Sequence, residues 1–538
     1  MTRISCCLIT SILLSATSSM ADANPRVIVS TLSAVPNTSG KIFSALNHVD
    51  LNNAGQVAFL GGYSGGEAIF VGSVSGGVNA VLHDKDPVPN LVPPGTFSTF
   101  SATPYIDQQG HVTAVLGNSA ISGDGVWKGF GGTIEQMAIN KQTVPGSNGT
   151  ITMSGIKGFG GPWINDNGDV AFTSNLTPPS GSNTSSGVFT YQNGTLQTVA
   201  LNGAQAPGLA NGVTMSGFGL SLPVMNDSGK IAFHAGLSGL SGDAIFTWEN
   251  NTLTTAHFKG QSVAGYAGLV WDAFDNPDIS NNGDIAFQGN VQGSNSSAIW
   301  REHDGALQLI AREGDAVPFI PGATYNGFLS IEPVINDLGN VAFFNSIKEA
   351  GITGSNDRIL FSDGGPLGPH AVFRGGDLVN NGLWGDVYFS NGLSNEFVLN
   401  GHGQVAFLSR LTGTSTNFDN DVALFAENGH GILEPVIREG DLVTLAPGLQ
   451  RTVSSITFSS EASENTGNSD GRISGFNDFG DLAFRVTFKE GGQAIMMAHV
   501  VPELGSISLL AVGSVAVTLV MLWKRRTRSL TTTAWFNQ

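Results

Sequence analysis

The stretch INDNGDVAF at residues 164–172 contains the pattern on which most of this sequence is built. Seven other nine-residue stretches have the same form, each with a glycine in the fifth position. The eight glycines are Gly55, Gly110, Gly168, Gly229, Gly283, Gly339, Gly403 and Gly480. Neighbouring glycines are 54 to 77 residues apart. A recurring period of this size indicates an array of similar structural units.

Each copy predicts a tight turn followed by a buried strand. An Asn side chain can hydrogen-bond the backbone two residues on, and Gly accepts a positive φ, so Asn-x-x-Gly suits a hairpin turn with a left-handed residue. The residues assigned to these turns are Asn52 and Gly55, Asn165 and Gly168, Asn226 and Gly229, Gly283, Asn336 and Gly339, Asn400 and Gly403, and Asn477 and Gly480. The V-A-F run after each turn is typical of a strand packed between two neighbouring sheets.

Two copies depart from the pattern. Ser280 replaces the Asn in one copy. In the weakest copy, Asp107, Thr113 and Ala114 replace the Asn, Ala and Phe. We therefore expect the second repeat to pack less well than the others.

Each repeat also contains an I-F strand and an L-x-x-I-A strand, which gives four strands per unit. The last repeat ends after two of these, at residues 482–488 and 494–500, whereas residues 26–32 offer an additional strand at the other end. An open array would leave two sheet edges exposed. We therefore predict an all-β fold, a β-propeller of about eight four-stranded blades over residues 24–500, closed by the N-terminal strand. The alternative is an open β-solenoid, whose repeats are usually shorter.

Composition limits the class of protein further. The 72 glycines and only 12% charged residues fit many short strands and turns. The net charge of −18 argues against nucleic acid as a partner and favours cations, neutral glycans or basic proteins. Cys6 and Cys7, the only cysteines, lie within residues 1–23, which have the form of a cleaved secretory signal peptide. An uncleaved anchor is the alternative, although its apolar run is short for a bilayer.

The search for catalytic chemistry finds no recognisable motif, so no catalytic residue, metal ligand or cofactor is assigned, and the chain is predicted not to be an enzyme. Three alternatives remain open. Asp166, Asp169 and their counterparts could bind calcium, although most copies lack carboxylates at alternate positions. The phrase R-E-G-D at residues 312–315 and 438–441 could form an active site, but it recurs, which favours an Arg–carboxylate pair holding a blade connector. Trp163, Trp271 and Trp384 could stack on sugars, whereas packing is the more usual role of aromatic residues.

The seventh repeat is the longest because of extra residues around positions 451–471. The segment SSEASENTGNSDG is polar and acidic. We interpret this insertion as a surface loop, a type of segment that often carries function.

The C-terminal region has the features of a membrane segment. The residues VPEL at 501–504 lead into an apolar run at residues 504–523, which is long enough to span a bilayer as a helix. The basic residues at 524–528 favour a cytoplasmic end, which leaves the repeats outside the membrane. A short tail, residues 529–538, follows.

The repeat resembles the NxxGxxAF tandem-repeat family of bacterial surface proteins, over nearly the whole chain. Residues 501–528 resemble the PEP-CTERM sorting signal of Gram-negative bacteria, which combines a Val-Pro-Glu-Pro motif, one helix and an arginine cluster. Leu504 stands where that motif has its second Pro, and ten residues follow the last Arg. The resemblance implies that an exosortase in the inner membrane recognises the tail. Its sorting residues here would be Val501, Pro502, Glu503, Arg525 and Arg526.

The resemblance also implies a cellular route: anchoring on the periplasmic side of the inner membrane, then transfer to the cell surface or extracellular matrix, often with exopolysaccharide. We therefore expect an exported, non-catalytic matrix, adhesion or glycan-binding scaffold. The alternatives are a propeller enzyme acting on extracellular polysaccharide and a calcium-stabilised scaffold. A permanent single-pass anchor is the alternative for the tail, because the helix alone suffices physically.

Overall fold

The computed structural model describes residues 25–500, except 92, 101–102, 121–122, 131, 157–161, 180–184, 219–222, 294–296, 329–331, 350, 380–383, 393–395, 459–465, 468–469 and 473. The predicted signal peptide and the predicted sorting signal with its membrane helix lie outside these residues. Within the described part of the chain every helix or strand assigned is a β-strand. This part contains no helix long and apolar enough to cross a bilayer.

The strands are numbered in chain order, beginning with β1 (Arg26–Ser30). Blade 1 contains β2 (Phe43–Leu51), β3 (Val57–Tyr63), β4 (Gly66–Ser73) and β5 (Gly77–His83). Blade 2 contains β6 (Phe97–Thr99), β7 (Tyr105–Ile106), β8 (Val112–Asn118), β9 (Asp124–Phe130) and β10 (Thr133–Ile139). Blade 3 contains β11 (Thr152–Ile156), β12 (Trp163–Ile164), β13 (Val170–Thr177), β14 (Ser186–Gln192) and β15 (Thr195–Leu201). Blade 4 contains β16 (Thr214–Ser216), β17 (Val224–Met225), β18 (Ile231–Ser238), β19 (Gly242–Glu249) and β20 (Thr252–Phe258).

The second half continues in the same way. Blade 5 contains β21 (Trp271–Phe274), β22 (Asp278–Ile279), β23 (Ile285–Val291), β24 (Ala298–His303) and β25 (Ala306–Arg312). Blade 6 contains β26 (Ala323–Phe328), β27 (Val334–Ile335), β28 (Val341–Glu349), β29 (Arg358–Ser362) and β30 (His370–Arg374). Blade 7 contains β31 (Val387–Phe389), β32 (Phe397–Leu399), β33 (Val405–Gly413), β34 (Val422–Glu427) and β35 (Leu433–Arg438). Blade 8 contains β36 (Leu442–Ala446), β37 (Leu449–Phe458), β38 (Asp481–Phe488) and β39 (Gln493–His499), together with β1.

The strands form eight antiparallel sheets arranged as a ring, which confirms the prediction of an all-β, eight-bladed propeller. In blade 3, β13 pairs with β14 and β14 with β15, while β11 and β12 both pair with the other edge of β13. The short strands that precede the Asn-x-x-Gly turns contact one another from blade to blade. They therefore form the wall nearest the ring axis.

The ring is closed by the N-terminal strand, as the sequence predicted. β1 pairs with β39, with Arg26 opposite Met497 and Ser30 opposite Ala494. Val29 is buried in a cluster that also contains Phe43 of blade 1 and Ile495 of blade 8. Blade 8 is therefore built from both ends of the described chain.

The V-A-F strands pack on both faces, also as predicted. Val170 and Phe172 belong to the core between blades 2 and 3, whereas Ala171 belongs to the core between blades 3 and 4. Phe172 stacks on Phe189 of the neighbouring strand, with ring centroids 5.7 Å apart. Each blade thus contributes one layer of side chains to each of its two neighbours.

Candidate functional site

The eight repeated turns have the backbone conformation that the sequence predicted. The glycine of every turn has a positive φ, between 70° and 85°. In blade 3, Oδ1 of Asn165 accepts hydrogen bonds from the backbone N–H groups of Asn167 (3.1 Å) and Asp169 (2.9 Å). The Asn therefore closes its own turn with its side-chain oxygen.

The same Asn side chain also links neighbouring blades, a role that sequence reasoning missed. Nδ2 of Asn165 donates to the backbone carbonyl of Asn226 in the next blade, at 2.9 Å. The same amide link runs from Asn52 to Asp107, Asn226 to Ser280, Asn336 to Asn400, Asn400 to Asn477, and Asn477 to Asn52. The Asn amide serves both partners with separate atoms, because its oxygen accepts within its own turn and its nitrogen donates to the next blade, whereas Asp or Ser suffices to close a turn. The repeated choice of Asn was the available signal.

The two departing turns have a replacement for the missing amide. Asp107 and Ser280 have no amide donor, but each of their blades supplies a cation to the next turn. Nζ of Lys128 donates to the carbonyl of Gly168 at 3.1 Å, and the Arg301 guanidinium donates to the carbonyl of Gly339. At the junction of the second repeat, the hydrogen bond from Lys128 therefore takes the place of the missing amide link.

A ring of polar side chains surrounds one mouth of the axis. This mouth ring consists of the second turn residue of every blade except blade 7, which has Gly401 there: Asn53, Gln108, Asp166, Asp227, Asn281, Asp337 and Asp478. The backbone N–H of one member donates to the side chain of the next, for example from Asp166 to Asp227 at 2.7 Å and from Asp227 to Asn281 at 2.9 Å.

Asp166 differs from its neighbours, because no described residue donates a hydrogen bond to its carboxyl. Burial, followed by the charges of Asp227, Asp107, Asp478 and Asp337, raises the pKa of Asp166 to about 7. Burial also raises the pKa of Asp227. The mouth is thus acidic, and it holds part of its negative charge only above neutral pH.

The described residues 466, 467, 470 and 471 of the insertion in the seventh repeat lie at the ring axis, so the prediction of a surface loop was wrong for them, whereas residues 459–465 lie outside the described part. The described residues of 466–474, which we call the plug, lie at the axis of the ring. Its backbone carbonyls accept hydrogen bonds from the surrounding blades. The carbonyl of Thr466 accepts from the N–H of Leu399, that of Asp470 from the N–H of Met225 at 3.0 Å, and that of Ser474 from the N–H of Leu51. A Cβ at Gly467 would collide with the carbonyl of Ile335. The plug therefore contacts blades 1, 4, 6 and 7.

Buried charged groups hold the plug, and two of them, Asp50 and Asp278, occupy the same repeat position, two residues before Asn52 and Ser280. Arg472 forms ion pairs with Asp470 (2.8 Å) and Asp278 (3.4 Å), and all three side chains are almost completely buried. Burial raises the pKa of Asp278, and the neighbouring Asp470 raises it further. Asp50 accepts hydrogen bonds from the N–H groups of Ile106 (2.7 Å) and Ser474 (2.9 Å), and burial raises its pKa to about 7.

These carboxylates converge at the axis, but they leave little space. The cavity between the plug and the mouth ring has a volume of about 30 Å³. Such a volume holds one or two water molecules and excludes a sugar ring. The buried carboxylates can therefore pair with Arg472 and accept hydrogen bonds from backbone N–H groups.

The remaining predicted features have structural roles. Trp163 and Trp271 are buried in the core, and the Arg438 guanidinium lies over the ring of Trp384, 4.7 Å from its centroid. In the R-E-G-D copy at residues 438–441, the hydrogen bonds of Arg438 differ from the predicted pairing of its guanidinium with a carboxylate. Asp441 accepts from the backbone N–H of Arg438, whereas the guanidinium donates to the carbonyl of Asn420. The described residues contain no group of three or more His, Cys, Asp or Glu side chains suited to a metal ion. The sorting residues Val501, Pro502, Glu503, Arg525 and Arg526 lie outside the described part.

Comparisons with known proteins identify a family. The sequence profile of a family of unknown function, DUF7453, matches residues 16–149 and 51–507. No curated protein sequence matches the chain.

Three solved structures illustrate the structural comparisons. A prolyl endopeptidase is 10% identical with a TM-score of 0.39, and the match covers 83% of this chain and 55% of that one. The polysaccharide lyase Uly1 is 9% identical with a TM-score of 0.31, covering 88% and 98%. The Trypanosoma rangeli sialidase is 11% identical with a TM-score of 0.26, covering 82% and 62%. The match thus spans little more than half of the endopeptidase.

Proposed function

We propose a function for this chain, which belongs to the DUF7453 family: it is an exported, non-catalytic propeller that acts as a scaffold in the extracellular matrix or in adhesion. The proposal includes sorting through the C-terminal tail by an exosortase-type enzyme, after anchoring in the inner membrane. Exopolysaccharide is the matrix component proposed as a partner.

The observation that carries the proposal is the occupied axis. The convergent carboxylates Asp50, Asp278 and Asp470 are buried and bonded to the plug or the wall. Catalysis requires that reacting groups reach a substrate. At the axis these groups reach the protein's own backbone, which supports a scaffold.

Two larger clefts lie at the rim of blades 6 to 8, and their linings also support this proposal. One has a volume of about 300 Å³ and contains Asp377 as its one acidic side chain. The other has a volume of about 370 Å³ and contains Asp441 as its one acidic side chain. Glycoside hydrolysis usually employs a pair of carboxylates on either side of the bond. Among the described residues, neither cleft offers such a pair.

The tail supplies the sorting part of the proposal. The phrase VPEL at residues 501–504, the apolar run to residue 523 and the basic residues at 524–528 begin directly after the last residue of the propeller, Val500. Membrane insertion alone does not require the Pro502–Glu503 pair at the entrance of the apolar run. Its position supports recognition by a processing enzyme.

Mass spectrometry of the native surface fraction tests the sorting proposal. We expect the mature protein to lack the peptides of residues 529–538, and the variant Glu503→Ala to retain them in the membrane fraction. Recovery of these peptides from the surface fraction of the wild type would instead identify a permanent anchor.

An enzyme acting on extracellular polysaccharide is the second candidate, and one observation favours it. Asp166 and Asp227 are neighbouring carboxyls at the mouth, and the Asp166 carboxyl has a pKa of about 7 and no hydrogen-bond donor among the described residues. The purified protein is incubated with the exopolysaccharide of its own host. Release of oligosaccharides by the wild type but not by Asp166→Asn would favour the enzyme over the scaffold.

A further inference from the structure

The described chain leaves the propeller at the face that carries the Asn-x-x-Gly turns. The N–H of Val500 donates to the carbonyl of Gly480, in the turn of blade 8, at 2.8 Å. The apolar run of the tail begins four residues later, at Leu504. Four extended residues span at most about 14 Å. If the apolar run crosses a membrane, the turn face of blade 8 therefore lies close to the lipid surface.

Large apolar side chains are exposed on this face beside the exit point. Leu338 and Phe479 occupy the third position of the turns of blades 6 and 8, with 69% and 66% of their surface exposed. Leu367 and Ile432 lie in the outer hairpins of blades 6 and 7, with 56% and 49% exposed. Leu367 packs close to Gly431, the residue before Ile432. We call these four side chains the apolar tips.

The equivalent turn positions in blades 2 to 5 are polar, and that of blade 1 is the small Ala54. The third turn residue is Gln109, Asn167, Ser228 or Asn282 in blades 2 to 5, and all four are exposed. The outer hairpins of blades 4 and 5 end in the exposed Glu249 and Asp304. The large exposed apolar side chains of this face, among the described residues, are therefore confined to blades 6 to 8, and blade 8 carries the chain exit.

We propose that the apolar tips insert into the headgroup region of the membrane that holds the tail, so that the turn face of blades 6 to 8 rests on the lipid surface. The inference rests on the proposed function, because it requires that the tail anchors the precursor. Exposed apolar side chains partition into the interfacial layer, and a short tether raises their local concentration at it. Asp337 and Asp478 of the mouth ring lie on the same face, which favours zwitterionic over anionic lipid.

The precursor from residue 24 onward is well suited to a site-specific probe, because Cys6 and Cys7 lie in the predicted signal peptide. The full chain from residue 24 to 538 is reconstituted in vesicles of phosphatidylcholine and phosphatidylethanolamine that contain a spin-labelled lipid. A fluorophore is attached to Leu367→Cys. The matched control is Phe418→Cys, which is 95% exposed in the β33–β34 connection at the opposite face. We expect the spin label to quench the fluorophore at position 367 by roughly twofold and to leave position 418 unchanged.

A second variant tests whether the tips act together. Leu338→Ser and Phe479→Ser, combined with the labelled Leu367→Cys, should reduce the quenching, and exposed substitutions of this kind scarcely alter folding. Flotation of the vesicles separates the two proposals. Protein that fails to float with the vesicles contradicts the anchoring tail. Protein that floats with equal quenching at positions 367 and 418 contradicts the proposal that the turn face rests on the lipid surface. It leaves the proposed anchoring by the tail unaffected.

Discussion

The repeated turns and the plug both hold the blades together at the axis, but they distribute their contacts differently. Each Asn of a turn joins one blade to the next, as Asn165 joins blade 3 to blade 4. The plug is a single segment that bonds to blade 7 through Thr466, blade 4 through Asp470 and blade 1 through Ser474. Loss of one turn link weakens one junction, whereas loss of the plug affects several at once. Contacts present in a single copy should therefore show the larger effects.

The closing strand is the other contact present in a single copy, and its removal should have the largest effect. Deletion of residues 24–34 exposes the edge of β39 and opens the cluster around Val29 and Phe43. We expect a protein that fails to fold or aggregates, measured by circular dichroism and analytical size exclusion. Supplying the same eleven residues as a peptide should restore folding in part. An unchanged melting curve of the deletion variant would contradict closure by β1.

The plug should be the next most sensitive region. Arg472→Met leaves the buried carboxyls of Asp470 and Asp278 without their cation. Breaking a buried ion pair in this way typically costs about 3–5 kcal/mol. The matched control is Arg410→Met, because Arg410 pairs with Asp421 at the exposed rim and such pairs contribute about 0–1 kcal/mol. Urea unfolding at pH 7.5 measures both variants. Equal losses would show that the plug does not stabilise the ring.

A single turn should be less sensitive than the plug. Gly168 has a φ of 77°, so Gly168→Val places a β-branched residue in the left-handed region at a cost of about 1–3 kcal/mol. Gly354→Val is the control, since Gly354 lies outside the positive-φ region and a Cβ there meets no neighbour. We expect a near-neutral effect in the control by urea unfolding. A negligible loss for Gly168→Val would contradict the strained turn.

Much of the repeated structure could be predicted from the sequence, whereas the plug could not. The turn glycine, such as Gly168, and the V-A-F run recur, so the turn and the strand can be recognised in any copy. The segment that holds Asp470 and Arg472 is polar and occurs once, and polar composition usually indicates a surface loop. Here the interior is itself polar at the axis, because the innermost strands present N–H groups such as that of Met225. Sequence composition does not distinguish a polar exterior from a polar channel.

Hydrogen bonds from lysine side chains to the turn carbonyls allow the contribution of one contact between neighbouring turns to be measured. Lys128→Met removes the link to Gly168 at a junction where Asp107 has no amide donor. Lys230→Met removes a similar bond to the Gly283 carbonyl, but Asn226 still joins those two turns. A hydrogen bond with a charged partner typically contributes about 1.5–3 kcal/mol. The Lys128 bond is partly exposed, so we expect a loss at the lower end, roughly 1.5–2 kcal/mol for Lys128→Met and about half of that for Lys230→Met.

A rescue variant completes this test. Asp107→Asn in the Lys128→Met background restores the amide donor of the other turns, and it should recover part of the lost stability in urea unfolding. Equal losses for Lys128→Met and Lys230→Met, without rescue, would show that these links do not substitute for one another.

The smallest effect concerns two carboxyls whose pKa is raised to about 7, that of Asp166 in the mouth ring and that of Asp50 in blade 1, which bonds to the plug. Asp166, in the mouth ring, receives no hydrogen bond from a described residue, whereas Asp50 accepts bonds from the N–H groups of Ile106, Ser474 and Leu51. A raised pKa means that the folded state holds its proton more tightly than the unfolded chain, whose carboxyl titrates near 4. The stability from this proton is present below pH 4 and is lost as the pH rises through 7.

Asp166→Asn should therefore leave the melting temperature unchanged at pH 4 and raise it at pH 8, by a gain on the order of 1 kcal/mol. Asp50→Asn should instead lower the melting temperature at both pH values, because an amide nitrogen cannot accept from the N–H groups that the carboxyl serves. Scanning fluorimetry at the two pH values measures both variants. A gain at pH 8 for both would mean that burial alone governs the two carboxyls. The opposite signs we expect would show that the charge of Asp166 destabilises the mouth, whereas Asp50 stabilises the axis as a hydrogen-bond acceptor.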